Sequence, residues 1–107
     1  MDKRIRRFYM PMTETSFYIL FALQSEMHGY SIMKHVKTLT KGEIDLGAGT
    51  VYTSLSKMEK DGLIVLVKTE SNRKFYKITD LGREILDIEI LRIERLYKNT
   101  RAWGGMQ

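Results

Sequence analysis

The apolar residues of this chain change their spacing once, near Gly62. Before that point they recur at helical intervals in three segments, 17–23, 32–39 and 51–58. After it, apolar and β-branched residues fill two short strand-like segments, 63–69 and 74–79, and helical spacing then returns. Since an amphipathic helix repeats every 3.6 residues and a half-buried strand every two, this order predicts three helices, a β-hairpin and a long final helix.

Capping and turn residues set the expected limits of these elements. Thr13 or Thr15 can cap the first helix, because a threonine hydroxyl accepts a hydrogen bond from a free amide of the first turn. Residues 70–73 are rich in turn formers and are expected to join the two strands. Thr79 or Asp80 can cap the final helix.

Composition and charge narrow the classes of protein to which this chain can belong. It has 107 residues, enough for one domain, no cysteine, and a net charge of +5. The basic excess lies in residues 1–9, with four basic residues against one acidic, and in residues 50–79, with six against three. No apolar run approaches the roughly 18 residues of a membrane span, and no signal peptide is evident. We therefore expect an anionic partner and a reducing, cytoplasmic location.

Three helices followed by a hairpin is the element order of a winged helix-turn-helix. The expected fold is therefore α+β and mostly helical, with the hairpin as the wing and the final helix as a dimerisation helix. In this fold the third helix enters the DNA major groove, so its polar face is of interest. That face carries small and basic residues, which can approach bases and phosphates. They are Gly49, Thr53, Ser56, Lys57 and Lys60, with Thr50 and Tyr52 at the flanks.

The final helix carries more apolar surface than one neighbour can cover. Its apolar positions span an arc of about 200°, interrupted by Glu89 and Arg92, whereas packing on one neighbour needs about 100°. In so short a chain, the second neighbour is expected to be another copy. The helix is expected to reach about Asn99. The predicted dimer contacts are Ile85, Ile88, Ile90, Leu91, Ile93, Leu96 and Tyr97.

These expectations divide the chain into four segments. A basic N-terminal arm, 1–12, precedes the winged helix-turn-helix DNA-binding domain, 13–79. The C-terminal dimerisation helix, 80–103, follows, and residues 104–107 form a tail.

Four short motifs, taken in order, resemble the PadR family of bacterial transcriptional regulators. They are His28-Gly29-Tyr30-Ser31-Ile32, Gly49-Thr50-Val51-Tyr52, the stretch from Leu55 to Ile64, and the stretch from Arg73 to Gly82. The resemblance covers about residues 13–100, and the single final helix is similar to that of the family's small members. It implies a homodimer built on the last helix that binds a pseudo-palindromic operator, usually as a repressor.

The candidate DNA-binding residues come from this resemblance and from the basic surface together. The resemblance implies contacts from the start of the second helix, from the third helix and from the wing, although Thr53 stands where many members have proline. Lysines of the third helix and of the first wing strand add attraction for phosphates. A position at the edge of the core is the alternative for Tyr30 and Tyr52. The predicted set is Tyr30, Gly49, Thr50, Tyr52, Thr53, Lys57, Lys68, Arg73 and Lys74.

The resemblance also implies that a planar hydrophobic compound can bind at the dimer interface and release the DNA. A pocket between the arm and the last helix could hold such a compound, since methionine and aromatic side chains adapt to flat apolar ligands. Its predicted residues are Phe8, Met10, Ile93, Tyr97 and Trp103. The alternative is that these residues only pack at the interface.

Other functions find little support in the sequence. His28 and His35 are seven residues apart, which does not match the i, i+4 pair of a helical metal site, and no nucleophile stands in a catalytic motif. We therefore expect no metal, no cofactor and no enzymatic activity. The main alternative is a winged-helix module that binds protein rather than DNA. Residues 3–10 mix basic and aromatic side chains as membrane-surface segments do, but we expect no membrane partner.

Overall fold

The computed structural model describes residues 1–104, which form five helices and one hairpin. The helices are α1 (Lys3–Tyr9), α2 (Glu14–Ala22), α3 (Gly29–Leu39), α4 (Ala48–Lys60) and α5 (Asp80–Gly104), and the strands are β1 (Ile64–Glu70) and β2 (Arg73–Ile78). The predicted helices correspond to α2, α3, α4 and α5, and the two strands form the predicted antiparallel hairpin. The α+β winged-helix fold is confirmed, and α1 is an addition to it.

The core lies where α2, α3 and α4 meet, and α5 closes it. Each of the three helices buries most of its predicted apolar stripe, although Leu39, at the end of the predicted stripe of α3, is 48% exposed. Fully buried are Ile19 and Leu20 of α2 and its C-cap Leu23, Ile32 and Val36 of α3, and Val51, Leu55 and Met58 of α4. Thr13 caps α2, because its hydroxyl oxygen accepts a hydrogen bond from the Ser16 amide at 3.1 Å.

Gly62 ends α4 and turns the chain into the wing. Its φ of +83° is left-handed, which glycine adopts without steric cost. The Gly62 amide donates to the Glu59 carbonyl at 3.1 Å, and the Leu63 amide donates to the Met58 carbonyl at 2.9 Å. This pair of hydrogen bonds is the Schellman arrangement, which satisfies the last carbonyls of a helix. As a result, β1 begins directly beside the buried end of α4.

The wing is a tight hairpin that is tied to the loop before α3. Ser71 and Asn72 both have positive φ, +52° and +61°, as a two-residue turn between twisted strands requires. This confirms the turn predicted over residues 70–73. Met27 exchanges two backbone hydrogen bonds with Tyr76, of 2.9 and 3.1 Å, and these fix β2 against the loop between α2 and α3.

Most of the basic N-terminal arm is the short helix α1, which the sequence prediction did not include. Asp2 caps it, since its carboxylate accepts a hydrogen bond from the Arg4 amide at 2.7 Å. Ile5 and Tyr9 are buried, and the Tyr9 hydroxyl donates to Asp61 at 2.8 Å. Burial and this hydrogen bond raise the pKa of Tyr9 well above its usual range. With only two buried residues, α1 has too few apolar positions to show a helical period.

A buried carboxylate joins α5 to the chain between α1 and α2. Glu89 is 1% exposed, and it accepts hydrogen bonds from the Met12 amide and from Nε of Arg92, the latter at 2.9 Å. Burial alone would raise the pKa of Glu89, but the hydrogen bonds from Arg92 and the Met12 amide outweigh it and lower this pKa. Glu89, which interrupts the apolar arc of the final helix, is therefore itself buried and joins this helix to Met12.

α5 corrects two predictions about the final helix. It continues to Gly104 instead of ending near Asn99, so Trp103 lies on the helix, while residues 105–107 of the predicted tail lie outside the described residues. Ile85 is completely buried in the core of its own chain, so its prediction as a dimer contact is wrong. The other six predicted contacts keep some exposed surface, and their role in a dimer stays a prediction. Ile88 and Ile90 are half-buried, and Leu91, Ile93, Leu96 and Tyr97 are exposed.

Gly82, in the first turn of α5, packs directly on Leu63, the residue that precedes β1. A Cβ at this position would lie 2.2 Å from the Leu63 carbonyl oxygen and 2.8 Å from Cγ1 of Ile78. We expect Gly82→Ala to lower the free energy of unfolding by about 2–3 kcal/mol, because the two backbones must move apart. Gly49→Ala is the matched control: nothing lies within 4 Å of its new Cβ, so it should be neutral or slightly stabilising. Urea unfolding measures both variants, and equal effects would contradict this account.

Candidate nucleic-acid interface

The polar face of α4 lies between two neighbours. The start of α3 and the wing lie on one side, and α1 lies on the other. Gly29 allows α3 to approach α4 closely, because a Cβ at Gly29 would lie only 2.7 Å from the ring of Tyr52. The Tyr52 ring is thus fixed against α3, yet 54% of the residue stays exposed. Tyr52 therefore packs at the edge of the core and also keeps exposed surface. A core-edge position and a DNA contact are thus compatible for this residue.

A cavity of about 330 Å³ lies where the start of α3, α4 and the wing meet. It brings together four of the predicted DNA-binding residues, namely Tyr30, Tyr52, Arg73 and Lys74. Polar residues outside the predicted set also line it, namely His28, Ser56 and Asn72. Ser56 follows Tyr52 by one helical turn, and the sequence already placed it on the polar face of this helix, although the predicted set did not include it.

His28 connects α3 to the wing at this corner. Its Nδ1 accepts a hydrogen bond from the Ser31 amide at 3.3 Å and so caps α3, which leaves Nε2 to donate to the Ser31 hydroxyl at 2.8 Å. Phe75 lies edge-on to the imidazole with ring centres 5.0 Å apart, and Nη1 of Arg73 lies 3.4 Å from Nε2. Burial and the charge of Arg73 lower the pKa of His28. A neutral ring suits its capping role, since a protonated Nδ1 could not accept the Ser31 hydrogen bond.

Thr53 and Lys57 lie on the opposite flank of α4, towards α1. They share a shallow hollow with Phe8, and Nζ of Lys57 lies 4.6 Å from the centre of the Phe8 ring. The same Nζ is 2.9 Å from the Asp61 carboxylate. Burial alone would raise the pKa of Asp61, but hydrogen bonds from Lys57 and Tyr9 outweigh it and lower this pKa. The charge of Lys57 is therefore partly balanced within the chain.

The remaining predicted residues differ in how free they are to meet a ligand. Gly49 and Thr50 are exposed in the first turn of α4, and Gly49 has no neighbouring atoms above it. Lys68, on β1, lies 3.4 Å from the carboxylate of Glu26 and 3.3 Å from that of Glu70. Hydrogen bonds from Lys68 to these carboxylates raise its pKa. Lys68 is thus a charge that two acidic neighbours already balance.

The five residues predicted to line an effector pocket do not share a cavity in the part of the chain that the structure describes. Phe8 faces α4, and Met10 lines a groove between α1 and α5. Ile93 lines a separate cavity between α2 and α5. Tyr97 and Trp103 are exposed on α5, 63% and 60% respectively. Within one chain, Phe8 therefore lies against α4 and not against α5, and a pocket formed by these residues at a dimer interface stays a prediction.

Taken together, these elements form a winged helix-turn-helix domain. α3 and α4 are the helix-turn-helix, α4 is its exposed second helix, and β1 and β2 are the wing. Among residues 1–104, no three metal-ligating side chains are grouped as a metal site. Over the same residues, no helix is both long enough and apolar enough to cross a bilayer.

Comparison with known proteins agrees with this class. The model of the PadR-like family of transcriptional regulators matches residues 19–88, which is more than half of the chain. The chain therefore belongs to the PadR-like family of transcriptional regulators. The family that its motifs resemble is thus confirmed.

Relatives in this family differ in how much of their length the chain covers. Transcriptional regulator YqjI of Escherichia coli is 24% identical over 79 residues, which are 74% of this chain and 38% of that protein. The chain thus spans little more than a third of the curated relatives that it matches. A PadR family transcription regulator of Clostridium difficile is 25% identical with a TM-score of 0.71, over 85% of this chain and 98% of that one. Bacillus subtilis PadR, solved in complex with operator DNA, is 25% identical with a TM-score of 0.64, over 70% of this chain and 45% of that one.

The lowered pKa of His28 predicts a pH dependence of stability. As pH falls below the ordinary value of 6.5, the unfolded chain binds a proton at His28 before the folded chain does, so the free energy of unfolding falls. His28→Asn keeps a capping oxygen but does not titrate, so its stability should fall less between pH 7.5 and 5.5. Urea unfolding at the two pH values measures this. A His28→Asn variant as pH-sensitive as wild type would contradict the assignment.

Proposed function

We propose that this chain is a sequence-specific DNA-binding transcriptional regulator, which acts by binding and without catalysis, in the cytoplasm where its operator lies. The corner where Tyr30, Tyr52, Arg73 and Lys74 meet beside the exposed face of α4 carries this proposal. It places cationic, hydroxyl and small side chains on one surface. Bacillus subtilis PadR, which shares the fold and the family, was solved with operator DNA, and this supports the same use here.

The parts of this surface fit different tasks in DNA binding. The start of α4 is exposed and carries only small side chains at Gly49 and Thr50, so it can come close to base edges in the major groove. The Tyr52 hydroxyl can donate a hydrogen bond to a phosphate oxygen. Arg73 and Lys74 form no ion pair within residues 1–104, so their charges are free to attract the DNA backbone.

A homodimer is part of the proposal, and α5 supports it. From Leu91 onwards, α5 projects apolar side chains that its own chain leaves exposed, by 66% at Leu91, 46% at Leu96 and 63% at Tyr97. Several such residues on one helix favour a protein partner, and a second copy of α5 supplies a matching apolar face. A two-fold dimer would present two α4 helices to half-sites about 34 Å apart, hence a pseudo-palindromic operator. Repression is the outcome that the family resemblance implies.

The test is binding to the DNA upstream of the protein's own gene, with random duplex as competitor, over a series of salt concentrations. We expect specific binding, with a footprint of two half-sites. If the dimer neutralises about eight phosphates, a plot of the logarithm of the binding constant against the logarithm of salt concentration should have a slope of about −7. Equal binding to both DNAs would show only that a basic surface attracts DNA, and it would contradict sequence-specific binding. Binding to neither would contradict the proposal and favour the protein-interaction module.

Tyr52→Phe tests the corner within the same assay. The substitution removes one hydroxyl and keeps the ring on Gly29, so operator affinity should fall roughly fivefold to tenfold while the melting temperature changes little. Tyr18→Phe, the same change on α2, is the matched control and should bind as wild type does. If Tyr52→Phe also binds as wild type does, Tyr52 is not a DNA contact.

We also propose that a planar hydrophobic compound weakens operator binding. The cavity between α2 and α5 supports this, because its volume of about 470 Å³ is walled by aromatic and aliphatic side chains, including Phe17, Phe21, Ile90 and Ile93. Members of a panel of such compounds should lower operator affinity. If operator affinity stays constant across the panel, this proposal is wrong.

A further inference from the structure

α1 concentrates positive charge on a very short helix. Lys3, Arg4, Arg6 and Arg7 are all exposed, and none of them forms an ion pair within residues 1–104. The one nearby acidic residue, Asp2, uses its carboxylate to cap the helix. Four unpaired cations repel one another, so this helix is suited to an anionic partner.

α1 is held firmly against the end of α4. Ile5 and Tyr9 are buried beneath it, and the Tyr9 hydroxyl donates to Asp61, the residue that follows the last turn of α4. Phe8 packs beside Lys57, one turn before Asp61. The basic helix therefore has a fixed position relative to α4.

The cations of α1 lie on two different sides of the helix. Arg6 lines the groove between α1 and α5, together with Ile88 and Leu91. Arg4 precedes Phe8 by one helical turn, so it lies on the same side of α1, where Phe8 packs beside Lys57 of α4. Its charge also contributes to the lowered pKa of Asp61. α4 therefore has cations on both flanks, from Arg73 and Lys74 of the wing and from Arg4 of α1.

We propose that α1 is a second phosphate-binding element, which contacts the DNA strand on the side of the major groove opposite the wing. This inference rests on the proposed DNA-binding function. A helix in the major groove has a phosphate backbone on each side, about 12 Å apart. The wing supplies cations to one backbone, and the Arg4 side of α1 supplies them to the other. Phosphates carry no base identity, so α1 adds affinity and sets the orientation of α4, while sequence is read elsewhere.

A matched pair of arginines on α1 tests this inference. Arg4→Gln and Arg6→Gln each remove one charge per chain from the same helix, but only Arg4 lies on the side of α4. If Arg4 neutralises one phosphate per chain, Arg4→Gln should reduce the magnitude of the salt slope of the dimer by about 2 and weaken binding roughly 30-fold at physiological salt. The loss should be the same for operator and for random duplex. Arg6→Gln should stay within about threefold of wild type, and melting temperatures confirm that both variants are folded.

The outcomes separate this inference from the proposed function. If wild type binds its operator and the two variants lose the same amount, the effect is one of net charge and the contact is disproved. If Arg4→Gln binds as wild type does, the contact is also disproved. If wild type binds no DNA, the proposed function fails first. Binding of wild type, but not of Arg4→Gln, to vesicles of anionic phospholipid would then assign α1 to a membrane surface and overturn the inference.

Discussion

One close backbone contact sets the positions of α4, the wing and α5 together. The Leu63 carbonyl accepts the Thr79 amide at 3.0 Å, and the Gly62 carbonyl accepts the Thr79 hydroxyl at 2.6 Å. Gly82 packs against the same carbonyl of Leu63, where no side chain would fit. Three segments thus meet within a few ångströms, namely the end of α4, the residue that precedes β1 and the first turn of α5. Because three elements share this point, the angle between the exposed helix, the wing and the apolar surface of α5 is fixed by backbone packing.

Two carboxylates, those of Asp61 and Glu89, hold α1 and the chain that follows it against the unit formed by α4, the wing and α5. Asp61 accepts the Tyr9 hydroxyl and so fixes α1, and Glu89 accepts the Met12 amide and so fixes the connection from α1 to α2. A buried carboxylate is stable only when donors replace its lost water, and Lys57 and Arg92 supply the remaining donors. The Asp61 contact holds the basic helix at the flank of α4, and the Glu89 contact holds the chain that follows this helix against α5. The position of α1 therefore depends on a few polar contacts as much as on the apolar core.

The sequence predicts the elements well because their apolar period, their caps and the Gly62 stop all agree. The sequence predicts less well which neighbouring element covers each apolar face of a helix. Helical spacing put Ile85 on an apolar face of α5, but it could not show that the core of the same chain covers it completely. Likewise, Phe8 and Ile93 were grouped by their chemistry, whereas α1 places Phe8 against α4. α1 itself was missed because two buried residues are too few to establish a period. Tertiary contacts, and not local pattern, decide each of these cases.

The structure also divides the basic residues into two groups that the sequence could not distinguish. Lys57 and Lys68 form ion pairs with carboxylates of their own chain, whereas Arg73, Lys74 and Arg4 form no ion pair within residues 1–104. A paired lysine must give up or share its carboxylate before it meets a phosphate, so it gains less from the DNA than a free cation does. Net charge alone therefore overestimates how strongly Lys57 and Lys68 attract DNA phosphates. Among the cations that form no ion pair within residues 1–104, Lys60 lies in the last turn of α4, whereas Arg73, Lys74 and Arg4 lie on its two flanks. In the proposed complex, the flanking cations would attract the two phosphate backbones and leave the small side chains at the start of α4 to meet the bases.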